Sequence, residues 1–159
     1  PVILWDTSYL FMRPRSMVGG DLYWIWKPYE IYQEISYIYG VKALIEGDGF
    51  LNAQSFLNII ETSFNTLYLY CAHISWTGAP LIGFGTAVMT LCKTMLYGMQ
   101  EYYCGGCSVG HNNLRDLVVY HFIANGLWIV IPALIALRFG KDIAGALKVA
   151  DKVATGKPQ

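Results

Sequence analysis

Residues 117–137, LVVYHFIANGLWIVIPALIAL, run without an Asp, Glu, Lys or Arg. At 1.5 Å per residue such a run covers roughly the 30 Å of a hydrocarbon core, so it predicts a transmembrane helix. Its polar and aromatic positions are spaced. His121, Asn125 and Trp128 fall at i, i+4 and i+7 and share one helical face. Two earlier stretches follow the same rule. In residues 50–74, Gln54, Asn58, Glu61, Asn65 and Tyr68 recur at steps of 4, 3, 4 and 3. In residues 81–103, Thr86, Thr90, Lys93, Tyr97 and Gln100 repeat that spacing. Each predicts a helix with one polar stripe on an apolar body. A polar group turned to lipid costs several kcal/mol unless satisfied, so the stripes are expected to converge. A bundle with a polar core or a cavity at mid-membrane follows.

The rest of the chain fits around these helices. Residues 1–12, PVILWDTSYLFM, read as the end of a first membrane helix with Asp6 embedded in it. The run is too short to span and opens on Pro1 rather than Met, so the first helix is expected to be truncated at its N-terminus. Arg13-Pro14-Arg15 stops it. Residues 16–49 are rich in Tyr, Trp, Gly and charge, and predict an ordered segment at the membrane interface, partly helical from 28 to about 39. Turns are expected at 47–49 and 77–80, and a loop at 104–113. The fold class expected is all-α: a multi-pass transmembrane four-helix bundle over residues 1–143. A frayed Lys-rich tail is expected over 144–159.

Composition agrees. Of 159 residues, 55% are hydrophobic and only 14% charged, against about 25% charged in an ordinary soluble domain. Eleven basic residues balance eleven acidic ones, so no nucleic-acid surface is implied. Arg138, Lys141, Lys148, Lys152 and Lys157 favour a cytosolic C-terminus. Cys71 and Cys92 lie in apolar spans and are expected to be buried thiols. Cys104 and Cys107, with His111, offer three zinc donors rather than four, so a disulfide or two free thiols is the expected state.

Glu61 is the sharpest single residue. A carboxylate at mid-membrane is penalised by desolvation and tends to hold its proton, as a general acid must to protonate a poor base such as an alkene. Asp6 is a second such acid. Lys93 is a counter-ion for one of them, and an ion pair that only holds helices together is the competing reading. Trp128 suits carbocation chemistry, since an indole face stabilises a cation by about 2 kcal/mol where water is excluded. Asn125, one turn away, can orient an acid or a substrate hydroxyl. No cofactor or metal is called for.

With these residues in hand, the chain resembles the EXPERA family, four-helix membrane domains that include the emopamil-binding sterol Δ8–Δ7 isomerases and the sigma-2 receptors. Three stretches carry the resemblance. Ile60-Glu61-Thr62 is similar to the isomerases' Met-Glu-Thr. Asn125-Gly-Leu-Trp128-Ile-Val-Ile-Pro132 is similar to Asn-Ala-Leu-Trp-Leu-Val-Leu-Pro and is the most specific match. Trp26-Lys27-Pro28-Tyr29 is similar to the family's Trp-Lys-x-Tyr. The resemblance implies an endoplasmic reticulum membrane protein, with Glu61 and Asp6 as proton-handling acids. Trp128 and Asn125 would line the sterol pocket; Thr62, His121, Asn65, Lys93 and Tyr97 are further candidate substrate-binding residues, and Lys93 has no counterpart in the family. Asp6 and Val2 stand where the isomerases carry Glu and His, and an acid of this kind looks more like the receptors, whose carboxylates bind amines. Three readings stay open: an intramolecular isomerase, a non-catalytic binder of sterols or cationic amphiphiles, and a structural domain whose stripes fill one another. The expected partners are a sterol or other hydrophobic small molecule and the lipid bilayer, with a homodimer admissible.

Overall fold

The computed structural model describes residues 2–156; Pro1 of the expected first helix and Lys157 of the expected tail lie outside the described residues. Among the described residues every regular element is helical. We label them α1 (Val2–Phe11), α2 (Tyr29–Ile35), α3 (Val41–Ile45), α4 (Phe50–His73), α5 (Ala79–Tyr103) and α6 (Leu114–Thr155). Short 3-10 turns at Tyr23–Trp26 and Tyr37–Tyr39 complete the segment between α1 and α4.

Local chemistry explains the boundaries. Gly47, at φ +71°, ends α3 in the left-handed region, and the Asp48 N–H reaches back to the Ala43 carbonyl across it. The Asp48 carboxylate then accepts the Phe50 N–H at 2.8 Å and starts α4. Pro80 sits in the first turn of α5, where a missing N–H costs nothing. Ala79 and Pro80, expected in a turn, are therefore already helical. Asn113 caps α6 by accepting the Asp116 N–H at 2.9 Å. Within α6, Leu117–Ile123 is a π-helical stretch before regular α geometry resumes at Ala124.

α5 and α6 are long and apolar enough to cross a membrane. α4 has the length, at 24 residues, but its polar stripe lowers its hydropathy. α6 runs 42 residues, so at 1.5 Å per residue it is roughly 63 Å long, about twice a hydrocarbon core. The frayed tail expected from residue 144 is instead helix as far as Thr155. Its Ala, Leu and Lys residues are good helix formers, and the helix stops where Gly156 turns left-handed.

α1 packs on α4, α4 on α5, and α5 on α6. Large apolar side chains such as Leu69, Leu96 and Leu134 stand exposed on the outer faces, while Glu61, Thr86, Thr90 and Thr94 are buried. This polarity is reversed relative to a water-soluble bundle. Cys92 falls on the outer face and is exposed, contrary to expectation, whereas Cys71 is buried as expected. Gly83 marks a close approach: a Cβ there would lie 2.7 Å from Phe139 of α6 and 3.0 Å from Tyr68 of α4. Gly83→Val should cost about 1–3 kcal/mol by overpacking, read as a lowered thermal midpoint in micelles.

The segment between α1 and α4 forms an aromatic cap. Tyr9, Trp26, Tyr29 and Ile38 are buried together, with the Tyr9 and Tyr29 rings stacked 4.0 Å apart. Trp26 Nε1 donates to the Trp5 carbonyl at 2.9 Å, and Ser16 Oγ to that of Tyr9 at 2.7 Å. The loop after α5 ties into this cap. Tyr37 N–H donates to Ser108 O, Asn112 Nδ2 donates to Ile35 O at 2.7 Å, and His111 stacks on Tyr37. Both long loops therefore lie at one end of the helices, and the Ser75–Gly78 turn, which joins α4 to α5, at the other.

Candidate functional site

The three polar stripes meet. α4 and α5 are joined at mid-length by Lys93, whose Nζ donates to Glu61 Oε2 at 2.7 Å and to Asn58 Oδ1. Gln54 Nε2 donates to the Lys93 carbonyl at 3.2 Å. Glu61 is 2% exposed and the Lys93 side chain 11%, so this ion pair is sealed from solvent. Periodicity put Asn58 and Glu61 on one stripe of α4 and Lys93 on that of α5, and the packing of the two helices brings them into contact.

Two cavities open beside this clamp. One, of about 380 Å³, lies under the aromatic cap. It is reached by Asp6 of α1, Tyr29 of α2, Lys93 and Tyr97 of α5, and Asn125 and Trp128 of α6. The second, of about 560 Å³, is lined mostly by apolar groups of α5 and α6, with Glu61, Asn65 and Tyr68 from α4. Ile3, Thr90 and Trp128 border both. Trp128 is thus one of three residues shared by a more polar chamber and a greasy one.

Asp6 is the acid of the polar chamber. Its Oδ1 accepts the Tyr29 hydroxyl at 2.5 Å. Tyr29 and Tyr39 both border the chamber. Burial pushes both phenols well above their ordinary range, and the facing Asp6 charge adds to the effect. They remain O–H donors at neutral pH. Asn125 spends its Nδ2 on the His121 carbonyl, at 2.8 Å, and borders the chamber beside Trp128.

Of the nine residues singled out from sequence, Asp6, Lys93, Tyr97, Asn125 and Trp128 share the polar chamber, and Glu61, Asn65 and Trp128 the greasy one. Thr62 and His121 border neither. Thr62 sits one residue beyond Glu61, about 100° around α4. His121 lies in the π-helical stretch, whose wider turn breaks the 3.6-residue register that linked it to Asn125. It is buried against Tyr97, ring centroids 5.8 Å apart. Tyr32 and Tyr39 were missed because no periodicity ties the cap to the helices; Tyr29 was within reach, as the last residue of the Trp26–Tyr29 motif.

The two acids differ in their partners. Glu61 is paired with Lys93, whereas Asp6 accepts from the neutral Tyr29 hydroxyl. At the loop, Cys104 and Cys107 are joined as a disulfide, and His111 is turned away to the Glu34 carbonyl at 2.7 Å. Comparison with known proteins finds no family model, curated protein or solved structure that matches this chain.

Proposed function

We propose that this chain is a multi-pass membrane protein of the EXPERA type, a bundle of α1, α4, α5 and α6 that holds a sterol-like lipid across the two chambers. The carrying observation is the inverted polarity: exposed leucines outside, and acid, amide and indole groups around adjoining cavities of about 380 and 560 Å³ inside. A fused-ring lipid would lay its hydrocarbon body in the greasy chamber and bring one end past Trp128 to Asp6. The endoplasmic reticulum membrane with a cytosolic C-terminus is the location that fits the basic end of α6.

In the catalytic form of this reading, protonated Asp6 delivers its proton to a ring alkene. The indole of Trp128 steadies the carbocation. The Asp6 carboxylate then removes a proton from the neighbouring carbon, which restores the acid and shifts the double bond. The second reading is non-catalytic binding of a sterol or cationic amphiphile, and the Lys93–Glu61 pair favours it by leaving one free acid where proton delivery and removal often use two. Incubating the purified protein with an 8-ene sterol separates the two. A shifted double bond that Trp128→Ala suppresses supports the isomerase. Saturable binding without turnover, lost in Trp128→Ala, supports the binder, and neither result would end both.

A further inference from the structure

The loop after α5 holds a group of reactive side chains that the lipid cavity does not use. Cys104 and Cys107, separated by two glycines, are joined, and both are exposed. Glu101, one turn earlier on α5, is 6% exposed. Its Oε2 accepts the Ser108 N–H at 3.3 Å, while its Oε1 is buried with no partner. The Glu101 carboxylate and the two sulfurs lie within 4.8 Å of one another. The Cys107 N–H points at Cys104 Sγ at 3.0 Å.

A bridge that closes so short a loop removes little entropy from the unfolded chain, so stabilisation alone is a weak reason for it. The loop is also held without it, by the bonds of Tyr37, His111 and Asn112 to the cap. A buried carboxylate with one oxygen unpartnered is costly and calls for a purpose. Beside a disulfide, that purpose is proton transfer.

We propose that Cys104-Gly105-Gly106-Cys107 is a thiol–disulfide exchange site, with Glu101 as its proton carrier and the cysteine thiols of a partner polypeptide as its substrate. A partner thiolate attacks Cys104 Sγ, forming a mixed disulfide and breaking the Cys104–Cys107 bond. The electron pair leaves on Cys107 Sγ, which takes a proton from Glu101. The ionised Glu101 then takes the proton of the partner's second thiol. That sulfur attacks the partner's own mixed-disulfide sulfur and releases Cys104 as a thiolate, which the Cys107 N–H stabilises and solvent protonates. Two electrons pass from the partner dithiol, which becomes a disulfide, to the pair, which becomes two thiols. Tyr102 and Tyr103, 74% and 80% exposed, flank the bridge with apolar surface suited to a polypeptide. The inference does not depend on what the lipid cavity holds.

The test uses the full chain in micelles, with Cys71 and Cys92 replaced by serine. A peptide dithiol and dithiothreitol are the probes, and alkylation with mass spectrometry counts free thiols under native conditions. The expected result is full, reversible reduction by the peptide. Glu101→Gln should slow it on the order of tenfold to a hundredfold with helical content unchanged, and Glu101→Asp should restore part of the rate. Offered the same peptide in its disulfide form, Cys107→Ser should hold it as a mixed disulfide on Cys104, with the peptide's other sulfur leaving as a thiol, whereas Cys104→Ser should not hold it on Cys107. A bridge that dithiothreitol opens only after unfolding, or a Glu101→Gln rate equal to that of the parent, would overturn the proposal. Reduction by dithiothreitol but not by the peptide would overturn the polypeptide substrate.

Discussion

Lys93→Met should destabilise the fold by about 3–5 kcal/mol, because it strands the Glu61 carboxylate at 2% exposure without a counter-ion. The loss should not read as the value of the ion pair. Much of it is the cost of leaving a charge unpaired in a medium that cannot solvate it. The double variant Lys93→Met with Glu61→Leu should therefore recover most of the stability, since an apolar pair of similar volume makes no such demand. Asn58 also accepts from Lys93, so Asn58→Leu alone should cost less than Lys93→Met, and the cycle between positions 58 and 93 should be non-additive. Thermal or denaturant unfolding in one detergent measures all four. If Lys93→Met unfolds like the parent, the clamp between α4 and α5 is not what holds them.

On the catalytic form of the proposal, Asp6→Asn should lower sterol double-bond isomerisation on the order of a hundredfold or more, the usual contribution of a positioned proton donor. The amide keeps the size of the acid and can still accept the Tyr29 hydroxyl, so folding should change little. The contrast with Glu61 is the informative part. Glu61→Gln removes a charge that Lys93 neutralises and should show first in stability, whereas Asp6→Asn should show first in turnover. Where the protein binds without turnover, the same substitution should weaken a cationic amphiphile by removing the carboxylate that borders the chamber, while a neutral sterol binds as before.

How much of this was legible in the chain depends on period. The stripes on α4 and α5 were readable because an α-helix returns a side chain to the same face every three or four residues, which put Glu61 and Lys93 each on the polar face of its own helix. The pairing itself was one of two readings. Nothing in the spacing says whether a basic residue faces Glu61 or Asp6, since that is set by the tilt and offset of separate helices. His121 failed where the period changed, because a π-helical stretch leaves no mark in the hydrophobic pattern of LVVYHFI. Tyr32 and Tyr39 failed for another reason. They sit in a cap held by ring stacking and by single bonds to backbone carbonyls, as with Trp26 and Trp5, contacts that are long-range and aperiodic. The helix beyond residue 144 was misjudged because Lys and small residues suit both a solvated helix and a frayed end. Glu101 drew no attention for want of its neighbours: only the fold brings its carboxylate to the two sulfurs.

The central claim is that the inward stripes surround a shared lipid cavity, and labelling with a photoreactive sterol tests it most directly. Crosslinks mapped by mass spectrometry should fall on residues that border the cavities, such as Ile3, Asp6, Tyr68, Thr90, Tyr97 and Asn125, and should disappear with excess unlabelled sterol and in Trp128→Ala. Labelling confined to outward positions such as Leu69, Leu96 and Leu134, undiminished by competitor, would contradict it.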